Sequence, residues 1–312
     1  MISIRRLLLL VTLSSVLAGA GTAAAAPTAV SPAATPTSAR APVPAAVRVI
    51  AAPVASRALA ERFLQPDQTV EYHFMIRVAV LSEPDLEHSF QAAVIGPLKA
   101  VADVGMLGKC APSVYVDSQG RGLKKHDLIV RVRAGHITIK ARAASPGAMV
   151  DLARCTSRKY EIDQFSTPEY SISSEIGFAA GDSDITAPAL TPAAVWDSVE
   201  ERCPQVWQQL RPVVRNSGRL EIPGVAHMYS AEATLKHPAG ARVKEASVAV
   251  WFFPPTDKFL VELAFTGYVR DRAEMDRMYG EVGASLRAAG LLCADQSSKT
   301  QQYFTAYFGP GN

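Results

Sequence analysis

Very little in this chain announces a familiar chemistry, and the absences exclude a good deal. It has only four cysteines, Cys110, Cys155, Cys203 and Cys293, and none of their spacings fits a zinc-ligand pattern. No block of Lys and Arg occurs, and the formal net charge is only +3. That balance argues against general binding to a nucleic-acid duplex or an anionic membrane surface, so any cationic function must be local. H-E-x-x-H, G-x-S-x-G, a phosphate-binding glycine loop and a dinucleotide-binding glycine fingerprint are all missing. No internal repeat is present.

The first residues, MISIRRLLLLVTLSSVLAGAGTAAAAP, read as a secretory signal. Arg5 and Arg6 form the charged region, Leu7 to Val16 the apolar run, and Ala23 to Ala26 the small residues suited to cleavage. An uncleaved anchor is the competing reading, but the second half of Leu7–Ala26 is weakly apolar. Cleavage is favoured, with no stable membrane insertion afterwards. No cysteine follows the run, which speaks against a lipid anchor. Losing Arg5 and Arg6 and no acid would leave +1.

Residues 27–56 are dominated by Ala, Pro, Thr and Val and read as a disordered or polyproline-like spacer. Residues 57–312 then form one domain, large enough for a real core. An exported chain, periplasmic or secreted, meets an oxidising compartment, so up to two disulfides are expected among the four cysteines. Of the three possible connectivities, Cys110–Cys155 with Cys203–Cys293 is preferred, because each pair flanks segments that could be neighbours.

What the chain has in quantity is strand alternation. In LIVRVRAGHITIK, Arg131 and Arg133 share one side of a strand, and Leu128, Val130 and Val132 share the other. A turn near Ala134-Gly135-His136 would set Arg131 opposite Thr138 or Lys140, and Arg133 opposite His136 or Thr138. The cationic face is either solvated or meets an anion, since like charges facing each other destabilise a sheet.

TVEYHFMIRVAVL, residues 69–81, splits likewise: Glu71, His73, Met75 and Arg77 against Val70, Tyr72, Phe74, Ile76, Val78 and Val80. RKYEIDQF places Lys159, Glu161 and Asp163 on one side. HMYSAEATLK and KFLVELAFTG alternate too, and ASVAVWFF is apolar throughout. Eight or nine strands result. Helices are expected over Pro84–Val104 with a break at Gly96-Pro97, over Thr191–Arg215 with a kink or restart at Pro204, and over Asp271–Ala289 with Gly290 as the stop. An open sheet and a closed barrel with inward charges both satisfy this pattern.

VYVDSQGRGLKKHDLIVRVRAGHITIK resembles the core motif of the CYTH domains, or triphosphate tunnel metalloenzymes. Tyr115, Asp117, Ser118, Leu123, Arg131, Arg133, Thr138 and Lys140 hold the places of that family's pattern. RKYEID, VELAF and Lys299 of SSKT stand where the family has an acidic strand, an E-x-E strand and a late lysine. The resemblance covers roughly Asp67 to Tyr307. It implies an α+β fold, mainly β: an antiparallel eight-stranded β-tunnel with helices packed outside. In such a tunnel Arg131, Arg133, Lys140, Lys299 and Arg77 would hold a triphosphate-type anion. Glu71, Glu262 and Glu161 would hold Mg²⁺ or Mn²⁺, and Glu71 and His73 are the catalytic candidates.

The departures are as informative. The opening E-x-E-x-K reads Glu71-x-His73-x-Met75, with Arg77 a partial substitute for the lost lysine, and the later E-x-E reads Glu262-x-Ala264. The phosphate-holding side is kept while the metal-holding side is thinned. His73 could be a metal ligand or general base, or a hydrogen-bonded lumen side chain, and the second is preferred. Asp182 and Asp184 read as loop residues. The expected function is binding of a phosphate-rich anion (triphosphate, polyphosphate or nucleotide) with little or no catalysis. The alternatives are a metal-dependent phosphohydrolase using Glu71, His73, Glu161 and Glu262, and a non-enzymatic scaffold with an unidentified protein partner.

Overall fold

A computed structural model describes residues 53–165, 167–178, 190–238 and 242–310. The signal, all but the end of the spacer, and Asp182 and Asp184 lie outside them. The chain runs α1 (Pro53–Phe63), β1 (Thr69–Ile76), α2 (Leu86–Phe90), a π-helical turn (Gln91–Ile95), α3 (Gly96–Leu98), β2 (Ala102–Val104), β3 (Ala111–Ser118), β4 (Leu128–Arg133) and β5 (His136–Ala143). It continues through β6 (Ser157–Gln164), β7 (Pro168–Gly177), α4 (Pro192–Arg202), α5 (Pro204–Asn216), β8 (Leu220–Glu221) and β9 (Ala226–Leu235). β10 (Glu245–Phe252), β11 (Phe259–Tyr268), α6 (Arg272–Ala288) and α7 (Lys299–Phe308) complete it.

The strands pair in the order β9-β10-β11-β1-β6-β7-β5-β4-β3, and β3 returns to pair with β9, closing a nine-stranded barrel. β2 and β8 are short additions on β9 and β3. The expected count of eight falls one short, and the barrel is not wholly antiparallel: β1 and β6 run parallel, Thr69 opposite Glu161 through Tyr72 opposite Gln164. A parallel pair needs a long connection, and the chain between β1 and β6 supplies it with α2, α3 and β2 to β5.

Alternation decides which side chains enter the lumen. Val70, Tyr72 and Phe74 of β1, Val130 and Val132 of β4, and Ile137 and Ile139 of β5 are buried outside the barrel wall, in the main apolar core. Helix α6 packs there: Tyr279 stacks on Phe74 at 4.5 Å between ring centroids, and Tyr72 donates to Asp276 at 2.7 Å. On α1, Phe63 meets Tyr160 and Tyr170 edge-on, each at 5.4 Å. On α5, Gln209 bridges Asp151 O and Ala153 N–H, fastening that helix to the loop before β6.

One end of the barrel has a second, smaller core. Met75, Tyr115, Ile129, Ala226, Trp251 and Leu260, each inward by strand parity, pack with Phe165, Phe253 and the α7 residues Tyr303 and Phe304. Tyr303 donates to Gly224 O and Tyr307 to Val225 O, at 2.8 Å in the latter case. Helix α7 thus caps this end of the lumen.

Several local expectations are corrected. β1 stops at Ile76, where Ile76 bridges Leu292 and the Arg77 N–H turns to Leu291 O, so Val78 reaches the main core from outside the strand and Val80 is exposed. Helical structure passes through Gly96-Pro97 on a π turn and ends at Leu98, leaving Ala102–Val104 as a strand on β9. The restart at Pro204 and the stop before Gly290 (φ 70°) are as read. The four cysteines are not joined to one another in this structure. Cys203, at the α4–α5 junction, lies beside Cys155, whose Sγ is 3.6 Å from Arg202 O. That junction packs over the loop before β6, so the preferred pairing of Cys110 with Cys155 and Cys203 with Cys293 does not match the fold. No described helix is long and apolar enough to cross a membrane.

Asp117 explains the Tyr-x-Asp element without any catalytic role. Fully buried, it accepts from the N–H groups of Ser118 (2.7 Å), Leu123 (2.8 Å) and Lys124 (3.1 Å), shaping the β3–β4 loop. Asp117→Ala strands those donors and should cost about 2–4 kcal/mol, read as a lowered urea midpoint with an unchanged m-value.

Candidate functional site

The lumen is a cavity of about 410 Å³ whose walls differ sharply in charge. The cationic wall is the β4–β5 hairpin. Ala134 and Gly135 both have positive φ (50° and 72°), the two-residue turn that matches strand twist. The resulting register sets Arg131 opposite Thr138 and Arg133 opposite His136. Arg131, Arg133, Thr138, Lys140 and Arg142 all line the cavity.

The acidic wall is β6, β1 and β11, bringing Glu161, Asp163, Glu71, His73 and Glu262 inward. Between the two walls lies β7, which presents Ser171 and Ser173 opposite Arg142 and Lys140. These short side chains let the long bases reach across. Lys140 Nζ contacts Asp163 Oδ2 at 3.0 Å and Glu161 at 3.3 Å, while Arg142 reaches Asp163 Oδ2 at 3.4 Å and Glu169 at 3.2 Å. The third wall is nearly neutral: Met228 and Ser230 of β9, Ser247, Ala249 and Trp251 of β10, and Tyr115 of β3.

His73 sits at the centre of the acidic wall, 2 % exposed. Its ring stacks on Phe165 at 4.5 Å, Nδ1 is 2.8 Å from Glu262 Oε1, and Nε2 is 3.8 Å from both Glu71 Oε2 and Asp163 Oδ1. Burial alone would lower its pKa, but Glu71, then Asp163 and Glu262, raise it from 6.5 to about 9. Burial would raise the pKa of Glu262, yet Lys299 at 3.1 Å and His73 hold it down at about 2. Asp163 is likewise held well below the carboxylate range, against burial, by Lys140, His73 and Arg142. In Arg133, burial and then Arg131 lower the pKa to about 10.

Of the residues expected to bind an anion, the fold brings Arg131, Arg133, Lys140 and Lys299 into the lumen. Arg77 is exposed beyond the end of β1 and outside the cavity, so it replaces no lumen lysine. Of the expected metal ligands, Glu71 has its carboxylate near His73, but Glu262 is engaged by His73 and Lys299, and Glu161 by Lys159 (2.6 Å) and Lys140. The donors that converge are instead Glu71, His73 and Asp163. Asp163 and Arg142 were absent from the expected site, although parity with Glu161 and Lys140 points to both. Phe165 and Trp251 had no signal beyond apolarity. A second cavity of about 530 Å³ adjoins the capped end and shares Ile129, Arg142, Phe165 and Thr300 with the lumen.

No family model and no curated protein matches the chain. Among solved structures it is similar to HpAC1 from Hippeastrum, an adenylyl cyclase candidate described as having a dominant triphosphatase activity. That match has 11 % identity, a TM-score of 0.39, and coverage of 74 % of this chain and 93 % of that one. It is also similar to adenylate cyclase candidates from Bacillus halodurans (13 %, TM-score 0.37, covering 75 % and 98 %) and Vibrio parahaemolyticus (10 %, 0.34, 78 % and 99 %). These are likenesses of chain path, and the chemistry of the lumen is read from its own residues.

The proton on His73 is held more tightly by the metal-free fold than by the unfolded chain. Its contribution, on the order of 3 kcal/mol, is complete below about pH 6.5 and fades as pH rises through about 9. Urea midpoints of chelator-treated protein should therefore fall between pH 7 and 9.5. The fall should be much shallower in His73→Gln; an equal slope in the variant would place the titration elsewhere.

Proposed function

We propose that the chain is an exported protein whose lumen binds a phosphate-rich anion of the triphosphate, polyphosphate or nucleotide type. One observation carries this reading. Lys140, Arg142, Lys159 and Lys299 are neutralised by lumen or rim carboxylates, whereas Arg131 and Arg133 form no ion pair among the described residues. Arg131 donates only a long 3.5 Å bond to Thr138, and its Nε is buried without a partner. Two adjacent guanidiniums on one strand repel each other. A phosphate chain would relieve that repulsion and accept their paired donors. The neutral wall facing them brings no carboxylate, and Glu175 of β7, opposite Thr138, accepts from Ser157 at 3.0 Å and makes no ion pair with either arginine.

Metal-dependent hydrolysis of the same anion is the second reading, favoured by the Glu71, His73 and Asp163 donors on the opposite wall. It is ranked second because Glu161 and Glu262 are already held by cations, which leaves few oxygen ligands for Mg²⁺.

Isothermal titration of metal-free protein with tripolyphosphate should show salt-sensitive binding. Arg131→Ala and Arg133→Ala should each weaken it about tenfold or more, the worth of a charge-assisted pair. Phosphate release with Mg²⁺ or Mn²⁺ should be slow or absent. Binding indifferent to both arginines would sink the anion reading; brisk release abolished by Glu71→Gln would promote the second.

Export also sets the fate of the thiols. Cys155 and Cys203 are the neighbouring pair, and we expect them to lose two protons and two electrons to the compartment's thiol–disulfide system and join. Peptide mapping of unreduced mature protein should find Cys155 linked to Cys203; four titratable thiols would reject this.

A further inference from the structure

His73 has one ring nitrogen committed and the other without a hydrogen-bond partner. Nδ1 is bonded to Glu262, while Nε2 is enclosed and makes no hydrogen bond. Nε2 faces Glu71 Oε2 and Asp163 Oδ1 at 3.8 Å each, too far for hydrogen bonds, and the three donor atoms lie within 4.8 Å of one another. We propose that Glu71 Oε2, His73 Nε2 and Asp163 Oδ1 form a three-ligand site for a first-row transition ion of the Zn²⁺ or Co²⁺ type, in preference to Mg²⁺.

Donor chemistry carries the first part. Imidazole suits Zn²⁺ and Co²⁺, whereas Mg²⁺ prefers an all-oxygen octahedron and keeps several of its waters. Spacing carries the second. Ligands with bonds of about 2.1 Å stand roughly 3.4 Å apart in a tetrahedron and roughly 3.0 Å apart when adjacent in an octahedron. The 3.8 Å separations lie nearer the tetrahedral value. Two carboxylates and a neutral imidazole balance a divalent charge, and three protein ligands leave a fourth position open.

The surroundings orient two of the three ligands. With Nδ1–H donated to Glu262, Nε2 is the nitrogen that gives up its proton when a metal binds and then ligates, and Glu262 is itself held by Lys299. Asp163 Oδ2 is held by Lys140 and Arg142, so Oδ1 is the oxygen turned toward His73. Such outer partners fix ring orientation and tautomer in metal sites. This site stands on the acidic wall alone and is independent of the arginine pair.

The test uses the mature chain, stripped with chelator and free of phosphate. Zn²⁺ and Mg²⁺ are titrated by calorimetry, and Co²⁺ is followed by its visible absorption. One Zn²⁺ per chain is expected, bound about 100-fold tighter than Mg²⁺ and weakened at least about tenfold in His73→Gln and in Asp163→Asn. Co²⁺ should give a four-coordinate spectrum lacking thiolate charge-transfer bands, and it should persist in Cys155→Ser/Cys203→Ser. Because Asp163→Asn could loosen the barrel, the Co²⁺ spectrum of the unaltered chain decides independently. Equal affinity for Mg²⁺, or Zn²⁺ binding untouched by His73→Gln, would overturn the proposal. So would a Co²⁺ signal lost with the cysteines, and His73 would then serve only as a cation pinning two carboxylates. Failure of tripolyphosphate binding would leave this result standing, and the reverse also holds.

Discussion

Charge neutralisation inside an enclosed lumen is the constraint on which this structure depends. Each ion taken out of water costs several kcal/mol unless a partner and hydrogen bonds offset it. Most of the lumen meets that demand by reaching across from one wall to another. Lys140 and Arg142 on β5 extend over the serines of β7 to Asp163 on β6, while Lys299 of α7 meets Glu262 on β11. Small residues on β7 are therefore part of the electrostatics: a bulky side chain at Ser171 or Ser173 would stand between the charges. The ion pairs are weak evidence for stability as such. Their clearer consequence is to leave Arg131 and Arg133 without an ion pair among the described residues, Glu175 and Glu71 acting on Arg133 only from a distance.

The capping of one end by α7 gives the lumen a direction. The apolar end holds Met75, Tyr115, Trp251 and Tyr303, which bring no positive charge to meet a phosphate. Toward the other end, the Lys159 side chain is 59 % exposed and that of Glu71 28 %. An anion entering there meets a cationic wall on one side and His73 with its carboxylates on the other. The arginines proposed to hold an anion and the donors proposed to hold a metal thus face each other across one cavity, on separate strands.

The same separation shows where the departures from the expected acidic motifs sit. Met75 belongs to the apolar cap. His73 gives the acidic wall a donor that can also carry charge. Glu262, with Ala264 two residues on, is bonded by Lys299.

Much of this was legible because strand parity is local. The two-residue periodicity put Arg131, Arg133 and Lys140 on one face and Glu161 with Asp163 on another, and positive φ at Ala134-Gly135 then fixed the hairpin register. The break at Pro204 and the stop at Gly290 follow equally from backbone chemistry. Closure was not legible from alternation, because an open sheet and a barrel bury the same alternating faces; the motif resemblance implied it, and the β3–β9 pairing, between segments far apart in sequence, shows it. Nor was the parallel β1–β6 junction, nor the end of β1 that leaves Arg77 outside. The pairing of acids and bases belongs to the same class. Sequence determined which side chains carry charge and which face each occupies, while only the closed fold decided which charges meet, since that depends on distances across the lumen.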